Sequence, residues 1–412
     1  MPSVYVAPPV RRPSIRLTAL PPLALYVHVP WCVRKCPYCD FNSHELRISS
    51  PHGGAATASA STNLDEDLES RYIDALIADL DRAVPGIWGR SVHAIFIGGG
   101  TPSLLSVRAL ETLLGAIRAR LRIDPGAEIT LEANPGAMEA DKFAGFRAAG
   151  VNRLSLGVQS FHPGHLRTLG RVHDAAQARR AIETARDHFE NFNLDLMYAL
   201  PGQTVEQALA DVDEALAFGP SHLSAYHLTI EPNTYFHRHP PALPDNDTAA
   251  DMQEAIEQRL AAHAFQHYET SAFAQPGCRS RHNLNYWTFG DYLGIGAGAH
   301  GKLSFPDRIV REMRWKHPRE YLERAAAGDA LHSTHEVSPE DLPFEFMMNA
   351  LRLIDGVSLR LFVERTGLPL AAVLPRLDEA QRRGWLLRDH GSLRPTLQGQ
   401  RFLNDLLQLF LR

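Results

Sequence analysis

Trp31-Cys32-Val33-Arg34-Lys35-Cys36-Pro37-Tyr38-Cys39-Asp40-Phe41 holds three of the four cysteines in this 412-residue chain. Their spacing is C-x3-C-x2-C. Three thiolates on one short loop can point at a common centre, and soft sulfur suits zinc or an iron–sulfur cluster. A closed structural zinc site takes four protein ligands, usually as two short pairs. This loop supplies three, and the remaining cysteine, Cys278, is remote in sequence. A cubane held by three cysteines leaves one iron open for a small ligand. The uneven spacing therefore favours a cluster of catalytic type over a zinc knuckle, with incidental thiols as the bland alternative.

Working outward, the loop follows an apolar run, Leu23-Ala24-Leu25-Tyr26-Val27-His28-Val29, which reads as a buried strand. A second run, Ala94-Ile95-Phe96-Ile97, leads into Gly98-Gly99-Gly100-Thr101-Pro102-Ser103. The glycines admit close backbone approach. They do not form a phosphate loop, because no lysine follows; the structural alternative is a tight strand-to-helix turn. The cysteine triad followed by the glycine run resembles the radical S-adenosylmethionine (SAM) superfamily. The likeness is closest to the branch that contains oxygen-independent coproporphyrinogen III oxidase and the heme chaperone HemW, and it extends from about Leu23 to the C-terminus.

Composition sets the bounds. A chain of this length suits a large barrel plus a smaller module. The apolar content of 44%, with 22% charged residues, is ordinary for a globular protein. A net charge of −5 argues against a nucleic-acid partner, which would call for a basic face. So few cysteines make no disulfide framework, and a reducing cytoplasm is expected. No apolar run is long enough for a spanning helix.

Along the chain, 1–20 is rich in proline and arginine and reads as a flexible leader. His44–Asp67 looks like an inserted loop, disordered or acting as a lid. Strands and helices then alternate. Strands are expected at Val92–Ile97, Glu128–Ala133, Arg153–Val158, Phe192–Tyr198 and Leu223–Leu228. Helices are expected near Leu68–Ala83, Val107–Arg120, Asp141–Ala149, Asp174–His188 and Val205–Phe218. Alternation implies parallel pairing through right-handed crossovers. The expected architecture over 21–230 is an α/β, incomplete (β/α)6 radical-SAM barrel. An accessory α+β segment, 231–335, would follow, then a small winged-helix-like module, 336–412.

Function in such folds gathers at the C-terminal ends of the strands. Glu132, Gln159, Arg171 and Asp195 sit there, polar groups in apolar surroundings that need partners or a ligand; individually each could be a cap or a surface charge. The resemblance implies that Cys32, Cys36 and Cys39 hold a 4Fe-4S cluster. It also implies that Gly99, Gly100, Thr101, Glu132, Gln159, Arg171 and Asp195 hold SAM, with Tyr26 and Tyr38 as aromatic walls.

In the accessory segment a helix is expected near Ala249–Ala264 and a strand over His267–Phe273. His282-Asn283-Leu284-Asn285-Tyr286-Trp287 is similar to the motif associated with HemW. By that likeness His282 would ligate heme iron while Tyr286 and Trp287 pack on the porphyrin; otherwise they are core residues. Gly294–Gly301 must turn tightly. In the last module, helices over Phe346–Leu353, Leu370–Gly384 and Gln398–Leu411 flank a short hairpin. It reads as a packing or partner domain, lacking a basic recognition face.

Two functions compete. The resemblance implies either a heme chaperone, passing heme to acceptor hemoproteins such as membrane-associated respiratory proteins, or a coproporphyrinogen decarboxylase. The decarboxylase pattern has a further cysteine two residues after the third; here that residue is Phe41. The chaperone reading is therefore favoured. An unused strand edge on an open barrel would also permit a homodimer.

Overall fold

The computed structural model describes residues 15–46, 64–136, 140–389 and 391–411. Residues 1–14 of the expected leader and 47–63 of the expected insertion lie outside them. The first strand, β1, is Leu23–Val29, followed by the short β2 (Trp31–Cys32) and β3 (His44–Glu45). Then come β4 (Ser91–Gly99), β5 (Arg122–Ala133), β6 (Arg153–Gln159), β7 (Phe192–Tyr198) and β8 (His222–His227). The strands β1, β4, β5, β6, β7 and β8 are parallel neighbours in that order. Helices Glu66–Ala83, Val107–Arg120, Phe143–Ala149, Ala175–His188 and Val205–Ala217 run between them. This is the expected incomplete barrel: each crossover helix returns the chain to the adjacent strand. Covered on both faces, β1 reads as a continuous apolar run. Asp174 and Thr204 each start a helix with a reciprocal box closed by a glutamine three residues on.

The segment 231–335, expected as an accessory α+β segment, extends the sheet at both ends. It supplies β9 (Gln266–Glu269), β10 (Ala272–Ala274), β11 (Asp291–Ile295), β12 (His300–Phe305), β13 (Arg308–Arg314) and β14 (Leu331–Glu336). The full order is β14-β13-β12-β11-β1-β4-β5-β6-β7-β8-β10-β9. β11 runs parallel to β1, with Leu25 opposite Leu293. β10 runs antiparallel to β8. Both edges of the six-strand run are thus occupied, so the edge proposed for dimerisation does not exist there. His267–Phe273, expected as one strand, is the hairpin β9–β10, turned at Thr270-Ser271.

Residues 15–20 are no free leader. Ile15 and Leu17 are buried, and Leu17 N–H donates to Pro306 O at 2.9 Å. They join Phe346, Phe362, Leu377, Leu393 and Phe410 in one apolar cluster with Phe289 and Ile309. The C-terminal module, with β15 (Val357–Ser358), β16 (Leu386–Arg388) and β17 (Ser392–Pro395), therefore shares its core with the sheet. Its expected long helices are broken. A 3-10 turn, Leu370–Ala372, precedes helix Leu374–Arg382, which has Pro375 in its first turn. The last helix breaks at Phe402, whose ψ of 39° is not helical. Among the described residues no helix is long and apolar enough to cross a membrane.

Candidate functional site

The cluster loop leaves β1 at Val29 and is clasped by β2 and β3, which pair Trp31 with His44 and Cys32 with Glu45. Lys35 staples the loop from within: its N–H donates to Glu45 Oε1 at 2.9 Å and its ammonium to Phe41 O at 3.1 Å. Asn42 ties the loop to the sheet extension, donating to Ala297 O and Lys316 O, each at 2.9 Å. Gly298 at the turn has φ 78°, and a Cβ there would lie 2.2 Å from Asn42 Nδ2. The glycine-rich run therefore lets the β11–β12 connection close over Asn42.

Cys32, Cys36 and Cys39 are free thiols and line one cavity of about 340 Å³. Burial pushes the Cys32 and Cys39 thiols up. Among the described residues no three His, Cys, Asp or Glu side chains converge on a single ion, as a mononuclear zinc site requires. A cubane instead takes each thiolate at a separate iron.

The glycine run forms the next wall. A Cβ on Gly100 would lie 2.5 Å from Trp31 O and 3.1 Å from Cys32 Sγ. Gly99, at φ 118°, would strike His28 and Val29 O. Only bare backbone brings this strand end against the cysteine loop. The Thr101 hydroxyl accepts from Asn134 Nδ2 at 3.1 Å. Gln159 ends β6 at φ 69°, a left-handed conformation that strains a residue with a Cβ.

Arg171 bridges the walls. One terminal nitrogen lies 3.5 Å from Cys36 Sγ; the other donates to Asn134 Oδ1 at 2.7 Å and Gly157 O at 2.8 Å. Glu132 accepts from Gly99 N–H at 3.0 Å. Burial, then the nearby Asp195, pushes its carboxyl up to about 8. Burial also raises Asp195, which accepts from Asn193 Nδ2 at 2.8 Å and Ser155 Oγ at 3.1 Å. Two carboxyls in one cavity can accept hydrogen bonds from ligand hydroxyls or an ammonium group.

The cavity wall brings together the three cysteines, Tyr38, Gly99, Gly100, Thr101, Glu132, Gln159, Arg171 and Asp195. Tyr26 is not part of it. Its hydroxyl lies 2.9 Å from His28 Nδ1, and its ring stacks with Phe96 and His282 deeper in the barrel. Asn134, Ser155 and Tyr226 also line the cavity and escaped the sequence reading. The alternation His222, Ser224, Tyr226 in β8 was the available signal, since i, i+2 positions share a strand face.

The His282 motif forms a short helix, Arg281–Trp287, whose first N–H groups donate to Glu128. It does not present its three residues on one open face. His282 is buried, 4.7 Å from the Phe96 ring, and neither ring nitrogen has a hydrogen-bond partner among the described residues. Burial pushes it down to about 3. Tyr286 lines a second cavity, while Trp287 lies under the Arg352 guanidinium. Cys278 packs beside Tyr268, Ala272 and Ala274, away from the cluster loop.

Fold and site define a radical SAM protein: residues 26–215 match the Radical SAM superfamily model, and 337–402 match the HemN C-terminal domain. Over 397 residues the chain is 49% identical to the heme chaperone HemW of Escherichia coli (strain K12), covering 96% of this chain and 100% of that protein. HemW of Mycobacterium tuberculosis (strain ATCC 25618 / H37Rv) is 36% identical over 385 residues, covering 92% and 90%. The chain belongs to the HemW heme chaperone family. Its fold is also similar to coproporphyrinogen III oxidase (HemN) from Escherichia coli, with a TM-score of 0.77 at 23% identity, covering 95% of this chain and 90% of that one.

Proposed function

We propose that the protein is a heme chaperone that carries a 4Fe-4S cluster and SAM, and passes heme to acceptor hemoproteins. The observation that carries this is the near full-length identity of 49% to a heme chaperone. The donor set fits the cluster: three free cysteines line one wall of the same cavity. Cys32, Cys36 and Cys39 would hold it. When bound, the cluster supplies an electron and an open iron position to SAM.

The chain's own residues bind and orient the ligand. Arg171 offers a fork to a carboxylate. The Gly99–Thr101 backbone approaches the amino-acid end closely because no Cβ intervenes. Glu132, deprotonated by a cationic ligand, accepts from an ammonium or a ribose hydroxyl. Asp195 and Gln159 take the remaining hydroxyl and amino groups, and Tyr38 walls the cavity.

The decarboxylase reading is disfavoured by Phe41, which stands on the cavity rim, 60% exposed, where that pattern has a further cysteine. Anaerobic reconstitution with iron and sulfide, followed by SAM titration, tests the site. We expect about four irons per chain and saturable SAM binding, both lost in the triple variant Cys32→Ser, Cys36→Ser, Cys39→Ser. One tightly held zinc without SAM binding would contradict it.

A further inference from the structure

We propose that His222 is a positioning residue for the SAM site: a buried hydrogen-bond relay, Tyr268–His222–Asn193, holds the Asp195 carboxylate as an acceptor aimed into the cavity. This rests on the SAM-binding reading and deepens it.

Sheet register builds the relay. Ser155, Asn193 and His222 stand opposite one another on β6, β7 and β8. Asp195 and Ser224 form the corresponding pair two residues on, and i, i+2 positions share a strand face. Ser155, Asn193, His222 and Ser224 are all buried. Tyr268, also buried, is supplied by β9 of the sheet extension.

With Asp195 ionised, the contacts run in one direction only. Asn193 Nδ2 spends one N–H on Asp195 Oδ1 and the other on Ser155 Oγ, each at 2.8 Å. Ser155 Oγ in turn donates to Asp195 Oδ2 at 3.1 Å. Asn193 Oδ1 must therefore accept, from Ser224 Oγ at 3.1 Å and from His222 Nδ1 at 2.7 Å. A flipped Asn193 amide would set its oxygen against the carboxylate. His222 thus carries its proton on Nδ1 and accepts at Nε2, where the Tyr268 hydroxyl donates at 2.8 Å. The Tyr268 oxygen accepts in turn from the Ser280 N–H at 3.4 Å. Burial, with Arg153 nearby, pushes His222 well below its ordinary value, so the imidazole stays neutral and keeps this tautomer.

The consequence falls on the ligand. Asp195 and Ser155 line the cavity. With one carboxylate oxygen held by Asn193 and the other by Ser155, Asp195 meets a ligand hydroxyl with its direction already set. His222 does not line the cavity; it acts through Asn193.

The test is SAM titration of the reconstituted protein carrying either of two amides at His222. The amide nitrogen of an asparagine stands where Nδ1 stood and still donates to Asn193. That of a glutamine overlays Nε2 and leaves Asn193 Oδ1 without its imidazole donor. His222→Gln should lose about tenfold in SAM affinity, the worth of one hydrogen bond, with iron content unchanged. His222→Asn should recover most of that loss. In an Asp195→Ala background His222→Gln should cost nothing further, because its effect passes through that carboxylate. Equal affinities for the two amide variants overturn the proposal, as do losses that add in the double variant. A crystal structure of the wild type with SAM tests it without any substitution. Asp195 should accept from a ligand hydroxyl or amino group while keeping Asn193 and Ser155; a ligand that leaves Asp195 untouched overturns the proposal. A wild type that binds no SAM overturns the SAM reading itself, and the role of His222 with it.

Discussion

Arg171 touches the cluster loop directly: its guanidinium lies 3.5 Å from the Cys36 sulfur. The second terminal nitrogen is held by Asn134 and Gly157. A planar fork makes both sets of contacts, and an ammonium cannot. Arg171→Lys should weaken SAM binding roughly 10- to 100-fold, the worth of one or two charged hydrogen bonds, with iron content unchanged. Calorimetric titration of the reconstituted variant checks this; wild-type affinity would remove Arg171 from the site.

Gly100 and Gly115 make a paired test of close approach. A Cβ at Gly100 meets Trp31 O at 2.5 Å, whereas among the described residues nothing lies within 4 Å of one at Gly115. Gly100→Ala should lower cluster loading and the melting temperature. Gly115→Ala, in a helix interior, should stabilise by about 0.5–1 kcal/mol. Thermal melts and iron analysis of the two variants decide it.

Glu132 predicts an opposition between stability and ligand binding. Its folded value of about 8 stands above that of a free glutamate. A raised carboxyl contributes stability that is full below its unfolded value of about 4.3 and is lost as pH rises through about 8. Glu132→Gln without ligand should therefore match the wild type near pH 4 and exceed it by on the order of 5 kcal/mol above pH 8. The same variant should bind SAM more weakly. Denaturant melts across pH read the first effect and ligand titration the second.

Asp291 anchors β11 in the sheet by a buried network. Its carboxylate accepts from Lys302 at 2.9 Å and Ser304 Oγ at 2.7 Å, and pairs with Arg90 at 2.8 Å. Burial alone would raise the carboxyl, but Lys302 and Arg90 hold it below its ordinary value. Its contribution is thus full above the unfolded value near 3.9 and is lost as pH falls through the lower folded one. Asp291→Ala leaves Lys302 buried and unpaired and should cost about 3–5 kcal/mol at pH 7. The deficit should shrink below about pH 4; chemical melts at both pH values test it.

The run β1 to β8 was legible because each apolar strand is followed by an amphipathic helix, and such alternation admits few topologies. The cavity set was legible where polar residues interrupt apolar strand ends, as Glu132 and Asp195 do. Proximity of Tyr26 to Cys32 in sequence says nothing about strand face; its ring stacks with Phe96, outside the cavity wall. The sheet extension was hidden because β11 pairs with β1 across more than 250 residues, and no local pattern encodes such a partner. Ile15 and Leu17 were lost among prolines and arginines, yet both pack in the apolar cluster of the C-terminal module.

The central claim is that this chain handles heme and does not decarboxylate coproporphyrinogen III. The most direct measurement presents the anaerobically reconstituted protein with heme and, separately, with coproporphyrinogen III, SAM and reductant. Stoichiometric heme binding with no decarboxylated product is the predicted result. Turnover to protoporphyrinogen without stable heme binding would contradict the account and show that Phe41 does not distinguish the two activities.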